Sequence, residues 1–503
     1  MKSVVIIGAG ITGLTAAFYL KRAGVPVTVY EAGERAGGVI RSRRQGGFLA
    51  ESGPNTLLEA SPEISGLVRD LDLGLRRIDT NPDAKKRFVV HDSKPVAVPT
   101  SVLEFLTTKL FSARAKFAVL REPFVPPRRD HGDESVAEFV LRRLNREFLE
   151  RTIDPLIVGI HAGDAEKLSV RHAFPKLYEL EQKYGSLIRG RFFGAGKKKY
   201  GKLSRPRSKI FSFGEGLQVL PDALAAQLGD SLKLKTPVTK LVQTSDGWRV
   251  TTSVGEIEYS AVIYCGTAFK LAELPVEVFE KLNDPLTPAL SPFGGEREKI
   301  LQPRENLPPP RPNGEKVAEG RMRGTALDLS AFSEIRHPPV ASVVLGFRRE
   351  DVAHPCEGFG MLIPKIEGFK ILGTIFSSSL FPHRAPAGHV LLSTYVGGER
   401  QPELAALAPD KLVELVCEDL RKLLGARGKP AFQHVTLYPK AIPQYNVGYG
   451  KFKALLDEIE IKTAGLFFAG HFRDGISLGD SIVSGCNIAE RVAKTFLATG
   501  EHR

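Results

Sequence analysis

The first things to note in this 503-residue chain are what it lacks. It has no apolar run long enough to cross a bilayer, which takes about 20 predominantly apolar residues. It has only four cysteines, Cys265, Cys356, Cys417 and Cys486, widely separated, with no Cys-x-x-Cys pair and no histidine at ligand spacing. A disulfide framework and a structural zinc site are excluded on that ground, and free, mostly buried thiols are expected. The N-terminus does not read as a secretory leader. Lys2 is its one basic residue, and the apolar run that follows leads straight into a glycine turn without a cleavage-type sequence. Cytoplasmic residence is the expectation. Acids are missing from one long stretch: Arg189, Arg191, Lys197, Lys198, Lys199, Lys202, Arg205, Arg207 and Lys209 occur with no carboxylate among them. That stretch carries much of the net charge of +13. It suits an anionic membrane, nucleic acid, an acidic substrate or a simply solvated loop, and no nucleic-acid fold signature accompanies it.

What is present starts at the N-terminus. Lys2 to Ile7 reads as a short apolar strand. Gly8-Ala9-Gly10-Ile11-Thr12-Gly13 follows at once, and Leu14 to Ala23 reads as a helix closed by Gly24. Val25 to Tyr30 is a second β-branched run ending in Glu31. Strand, G-x-G-x-x-G turn, helix, strand and terminal acid form a complete dinucleotide-binding unit. Gly8 permits the tight turn, Gly10 lets the backbone approach a pyrophosphate, and Gly13 lets helix and strand pack closely. The helix N-terminus points free N–H groups at the phosphates. Glu31 is placed to accept a ribose hydroxyl.

Farther along, Leu103, Leu106, Leu110, Ala113, Phe117 and Leu120 recur at helical spacing, with Lys109, Arg114, Lys116 and Arg121 off the stripe. By pattern alone this is a helix facing the core, with a membrane-surface helix as the alternative. Ser231 to Val242, Trp248 to Thr252 and Ile257 to Tyr264 alternate as strands do. A mixed region runs over 333–440, and a helix is expected over Ser481 to Phe496. Asp284 to Gly324 stands apart, with eight prolines, many charges and no periodicity. It reads as a disordered, functionally inert insertion, with a partner-binding linear motif as the alternative.

These residues resemble the flavin amine-oxidase superfamily. The resemblance rests on the first fingerprint with Glu31, Arg35, Gly37 and Gly38, on Gly53-Pro54-Asn55, and on Ala469-Gly470 with Ser484-Gly485. Within it, three stretches are similar to oxygen-dependent protoporphyrinogen oxidases. They are Lys86-Arg87-Phe88-Val89 with Pro99-Thr100, Asp133 to Phe139 with Gly159 to Asp164, and Leu372 to Pro382 with Arg384-Ala385-Pro386. Pro443-Gln444-Tyr445 with Gly448 adds to them. Gly214-Glu215-Gly216 and Tyr264-Cys265-Gly266-Thr267 depart from the family pattern on the flavin side.

The resemblance implies an α/β fold with a Rossmann-like FAD-binding domain (1–86, 206–268 and 441–503). It also implies a helical membrane-associating domain (87–205) and a mixed-sheet substrate domain (269–440). It implies non-covalent FAD, contacted by Gly8, Gly10, Ile11, Thr12, Gly13, Glu31, Arg35, Gly37, Gly38, Gly53, Pro54, Asn55, Thr56, Val238, Gly470, Ser477 and Leu478. The implied reaction is oxidation of protoporphyrinogen IX to protoporphyrin IX in late haem biosynthesis, with oxygen as acceptor and hydrogen peroxide as by-product. Arg87 would hold a propionate, Leu362 and Phe381 would sandwich pyrrole rings, and Gly159 would floor the pocket. No acid–base side chain is implied, and His471 is given no role. No metal is expected. The implied location is cytoplasmic, peripheral on an anionic membrane, which turns the 103–120 stripe and the basic cluster toward a bilayer. The oligomeric state, a homodimer included, stays open. The alternatives are coproporphyrinogen III as substrate, another amine or polyene oxidation on FAD, and a non-catalytic flavin-binding scaffold.

Overall fold

The strand Val4–Ile7 is apolar throughout, and Gly8 ends it with φ of +102°, where a side chain would be strained. The chain turns directly into the helix Ile11–Arg22 and returns as the strand Val27–Tyr30, parallel to the first. Three more strands join this sheet from distant sequence. The full order is Leu232–Lys233, Val27–Tyr30, Val4–Ile7, Ala261–Tyr264, Leu466–Phe468, all parallel. Its central strands are covered on both faces, which is why they read as unbroken apolar runs. The long helix Leu478–Ala498 packs against the first helix. At the crossing, a Cβ on Gly485 would lie 2.6 Å from the Thr12 carbonyl oxygen, so glycine is required there. The computed structural model describes residues 3–130, 132–194, 209–280 and 323–498.

Two further large sheets build the rest. A five-stranded sheet has the order Gly255–Tyr259, Trp248–Thr252, Val238–Gln243, Val276–Glu280, Arg323–Ala326. A seven-stranded sheet has the order Phe432–Tyr438, Val340–Arg348, His389–Gly397, Ile371–Phe376, Gly360–Leu362, Arg87–His91, Lys94–Ala97. Its last two strands come from the start of the segment expected to be helical. Arg87–His91 pairs in parallel with Gly360–Leu362, Arg87 opposite Gly360 and Val89 opposite Leu362.

Several local expectations need correction. The run 231–242 is two strands in two sheets, because Lys235 turns at φ +53° and Pro237 has no N–H to donate. The run 257–264 likewise changes sheets at Ser260, whose N–H goes to the Ser3 carbonyl at 2.8 Å. The 103–120 stripe is two short helices, Val102–Thr107 and Ala113–Arg121, each capped by a serine. Only Leu110 of the large stripe residues is buried; Leu103, Leu106, Phe117 and Leu120 are 55–73% exposed. Periodicity marks a helix face but not what covers it, so the core-facing reading is overturned. The insertion lies outside the described residues except Arg323 and Gly324, which open a strand. That strand pairs antiparallel with Val276–Glu280, Arg323 opposite Glu280, so the chain returns to where it left. Of the basic cluster, residues 195–208 lie outside the described part, and Lys209 pairs with Asp79 at 3.1 Å.

The helical region is held by charge rather than by apolar packing alone. Arg143 has no exposed side-chain surface and donates to Glu122 at 2.7 Å, to Glu181 at 2.5 Å and to the Gly185 carbonyl at 2.8 Å. Glu122 also accepts the N–H groups of Leu187 and Ile188, capping the helix Leu187–Gly194. Replacing Arg143 with Met strands two buried carboxylates. The expected loss is about 3–5 kcal/mol of stability, read from urea or thermal denaturation. A change under about 1 kcal/mol would show that the network contributes little.

Candidate cofactor and substrate site

At the C-terminal edge of the parallel sheet, glycine leaves room where a ligand would lie. A Cβ on Gly10 would meet nothing within 4 Å. Gly38 stands opposite, its own Cβ position 3.4 Å from the Gly10 Cα, and the Gly37 N–H donates to the Ala9 carbonyl at 2.8 Å. Gly13 is needed for a different reason, since a Cβ there would lie 2.0 Å from the Gly8 carbonyl. The first turn of the helix, Ile11, Thr12 and Gly13, has no side-chain cap and no acid in it. Its free N–H groups and the positive end of the helix dipole fit a pyrophosphate.

Glu31 shapes this cradle as well as facing it. One carboxylate oxygen accepts the Ala9 N–H and the other the Gly33 N–H, both at 2.8 Å. Each oxygen keeps a lone pair for a ribose hydroxyl. Val238 is led into the same neighbourhood, because Lys235 and Thr236 donate their N–H groups to the Gly33 and Glu31 carbonyls. Arg35 is used differently. Its guanidinium donates to the carbonyls of Ala36, Gly38 and Ile40, which fixes the second glycine loop.

The C-terminal motif closes the cradle. Thr12 donates to the Ser481 carbonyl at 3.0 Å, tying the two helix starts together. The Gly470 N–H donates to Ser484 at 2.9 Å, and a Cβ on Gly470 would face Thr12. Ser477 accepts the Asp480 N–H at 3.0 Å, just ahead of Leu478, the first residue of the long helix. Gly53, Pro54, Asn55 and Thr56 follow the strand Phe48–Glu51. A Cβ on Gly53 would lie 2.4 Å from the Val39 carbonyl. Asn55 is buried and donates to Tyr395 at 2.5 Å, and its amide oxygen has no protein partner. That orphaned acceptor and the open glycine cradle are features a flavin dinucleotide would use.

Beneath the Gly53–Asn55 loop is a feature the sequence reading missed. Glu51 and Arg384, both about fully buried, pair at 3.1 Å. Glu51 also accepts from Ser42 and from the Leu217 N–H, and the same Arg384 Nη2 donates to the Asn55 carbonyl and Ser212. Burial pushes the Glu51 carboxyl up against the pull of Arg384. In sequence both residues look like surface charges. His471 lies next to Gly470, and burial, reinforced by His337, pushes it down to about 4. The His471 backbone carbonyl accepts the Tyr445 hydroxyl at 2.5 Å.

The four implied substrate residues separate into two places. Gly159 and Leu362 meet directly: a Cβ on Gly159 would lie 2.5 Å from Leu362 Cδ2. Gly159 sits in the helix Asp154–His161 on an exposed face with Leu156 and Ile160. Register places Arg87, Val89 and Leu362 on one face of the seven-stranded sheet. Gly360, opposite Arg87, is required by the neighbouring strand, since a Cβ there would lie 2.3 Å from the Thr374 carbonyl oxygen. Arg87 is exposed, its guanidinium 5.3 Å from the centre of the Phe359 ring. Phe381 lies on the Arg87 side: it has no exposed surface and clusters with Ala84 and Leu380, against which Ile375 and Phe359, the ring beside Arg87, pack.

Replacing Glu31 with Ala removes a ribose acceptor and two bonds that shape the loop. FAD affinity should fall tenfold or more, for a loss of about 1.5–3 kcal/mol, with Glu31→Gln intermediate. Flavin fluorescence titration of the stripped protein reads this, and wild-type affinity in Glu31→Ala would remove Glu31 from the site.

Comparison with known proteins agrees with this cradle. The family model for flavin containing amine oxidoreductases matches residues 11–295 and 325–493, and the break falls in the proline-rich insertion. Protoporphyrinogen oxidase 2, chloroplastic/mitochondrial, of Arabidopsis thaliana is 34% identical over 521 residues, covering 98% of this chain and 94% of the relative. Coproporphyrinogen III oxidase of Bacillus subtilis is 29% identical, covering 96% of each. A crystal structure of an Exiguobacterium sp. 255-15 protein superposes with a TM-score of 0.75 at 23% identity, covering 98% of this chain and 99% of that one. A match on both sides of the insertion, carrying both halves of the dinucleotide cradle, leaves one assignment: the chain belongs to the flavin containing amine oxidoreductases, with FAD as its cofactor.

Proposed function

We propose that this protein oxidises protoporphyrinogen IX to protoporphyrin IX, with dioxygen as the final acceptor and hydrogen peroxide as the by-product. The observation that carries the reading is the juxtaposition of exposed Arg87, on the strand beside Gly360–Leu362, with Leu362 set against Gly159. A largely apolar macrocycle with carboxylates on one edge matches such a surface. The protoporphyrinogen oxidases among the relatives, at 32–34% identity, support it. Bound FAD, held non-covalently, supplies a two-electron acceptor. The chain's own residues do the rest. The Arg87 fork pairs with a propionate carboxylate. Leu362 and the Leu156, Gly159 and Ile160 face of the helix cover the ring and exclude water. The Asn55 amide, fixed by Tyr395, offers an acceptor oxygen to an N–H of flavin or ring.

Coproporphyrinogen III is the second reading. Lys85 and Lys86 are exposed beside Arg87, and extra cations suit a substrate with four carboxylates. Aerobic turnover of both porphyrinogens, followed by porphyrin fluorescence, decides between them. We expect kcat/KM for protoporphyrinogen to exceed that for coproporphyrinogen. Arg87→Ala should raise KM about tenfold, for a lost charge-assisted bond, with flavin content unchanged. Wild-type KM in that variant would take Arg87 out of the site, and turnover of neither substrate would overturn the reading.

We read the protein further as peripheral on the cytoplasmic face of an anionic membrane. Val102, Leu103, Leu106, Phe117, Leu120 and Phe124 are 55–77% exposed on neighbouring short helices, and Lys109, Arg114 and Arg121 are exposed around them. Lys116 joins the pair by donating to the Leu106 and Thr108 carbonyls. Burying each large side chain in a bilayer is worth about 1.5–3 kcal/mol. Leu103→Glu with Phe117→Glu should therefore cut binding to anionic vesicles more than tenfold, and salt should weaken wild-type binding. Unchanged binding of the double variant in a co-sedimentation assay would refute this surface.

A further inference from the structure

The turn Gly397–Arg400 grips both ends of the helix that carries Gly159. At the helix start, Arg400 Nη2 donates to Asp154 Oδ2 at 3.0 Å. Its Nη1 donates to the carbonyl of Ile363, the residue after Leu362, at 2.8 Å. The same Asp154 oxygen accepts the Lys365 N–H at 3.2 Å. At the helix end, the Glu399 N–H donates to the Ala162 carbonyl at 2.8 Å. Gly398 approaches so closely that a Cβ would stand 2.5 Å from that carbonyl oxygen. The Glu399 carboxylate accepts from Lys167 and Arg336, each at 2.9 Å.

Arg400 is thus bonded to both elements that meet at Gly159 and Leu362: to the helix through Asp154, and to the end of the strand Gly360–Leu362 through Ile363. The pair is shielded, with 5% of the Arg400 side chain and 17% of the Asp154 side chain exposed. Bonds of this kind demand close geometry and transmit displacement. The helix needs an external anchor there, because it follows a π-helical turn, Leu149–Ile153, whose wider ladder fixes its start less tightly. Gly159 and Leu362 already stand at contact, so a shift of a fraction of an ångström changes the surface they present side by side.

Resting on the porphyrinogen reading, we infer that Arg400 is a positioning residue: by bridging Asp154 and the Ile363 carbonyl it holds Gly159 against Leu362, and with that contact the shape of the surface on which the macrocycle would lie. It does not touch the substrate. A residue that only stabilised the fold would lower the amount of active protein and leave KM alone.

The test is a cycle of Arg400→Lys, Gly159→Ala and the double variant, measuring KM, kcat and flavin content. Lysine can keep one of the two bonds. Arg400→Lys should raise KM about fivefold, with kcat and flavin content within about twofold of wild type. Gly159→Ala should raise KM about tenfold in the wild-type background but less than about threefold in Arg400→Lys, where the relaxed contact has room for the methyl. An unchanged KM in Arg400→Lys, or penalties that simply multiply, would overturn the inference. Asp154→Asn, which keeps an acceptor oxygen, carries the same cycle if Arg400→Lys does not fold. If the wild type turns over neither porphyrinogen, the functional reading fails separately, and the clamp is then read without substrate by hydrogen exchange. Amides of the helix Asp154–His161 should exchange about tenfold faster in Arg400→Lys while those of Val4–Ile7 do not change; equal protection of that helix would overturn it.

Discussion

A carboxylate and a guanidinium shut away from water, Glu51 and Arg384, join the dinucleotide-binding half of the molecule to the substrate half. Taking both charges out of water costs several kcal/mol per ion, which mutual attraction and further hydrogen bonds offset. Glu51 is met by Ser42, Leu217 and Arg384, and Arg384 Nη2 also meets Asn55 and Ser212, while Arg384 Nε is buried without a protein partner. The positions of these groups are therefore mutually required. The hairpin Ser42–Gln45 with Phe48–Glu51, the loop through Asn55, the strand Ile210–Phe213 and the Phe381–Arg384 turn cannot move separately without leaving a charge unmatched. Asn55, at the junction, also meets Tyr395 on the seven-stranded sheet. The cofactor loop and the substrate sheet are thus fixed to each other by polar bonds, which specify geometry more tightly than apolar contact does.

The same physics recurs in the helical region. Arg142 and Arg143 share Glu181 between them, Arg142 reaches Glu134, and Arg143 reaches Glu122. Glu122 of this network follows directly on the second short helix, Ala113–Arg121. Helices of that length do not persist alone, and serine caps and the Lys116 bonds leave the pair dependent on what lies behind, where Leu110, Phe111, Ala115 and Phe148 are buried.

The sequence was most legible where local rules decide the structure. Gly8, Gly10 and Gly13 could be assigned distinct jobs because each answers a local steric demand, and the geometry agrees: positive φ at the first, open space at the second, a carbonyl at van der Waals contact beside the third. It was least legible where a partner distant in sequence decides. The 231–242 run has strand chemistry throughout, and only the docking of Lys235 and Thr236 against Gly33 and Glu31 splits it between sheets. The 103–120 stripe announced its helices but not their exposure. Phe381 reads as apolar either way, and a residue type cannot say whether it lines a slot or fills a core. Buried charges such as Glu51, Arg384 and Arg400 were invisible for the opposite reason, since their types are overwhelmingly found at the surface.

Nearly every part of the dinucleotide cradle comes from a different stretch of chain. Thr12 bonds to Ser481 across 469 residues, and Lys235 and Thr236 close onto Gly33 and Glu31. Closing such loops costs entropy that grows only slowly with their length, which is why a long proline-rich segment between Glu280 and Arg323 is compatible with the sheet on either side of it. A site assembled this way forms only when its remote segments are all in place. Free N–H groups at the first helix and the unpartnered Asn55 oxygen are bonding groups that a dinucleotide could meet. A cofactor that binds only the assembled cradle would favour that assembly by mass action. The glycine approaches that make room for the dinucleotide and the polar contacts that hold the substrate sheet to it are then two sides of a single constraint.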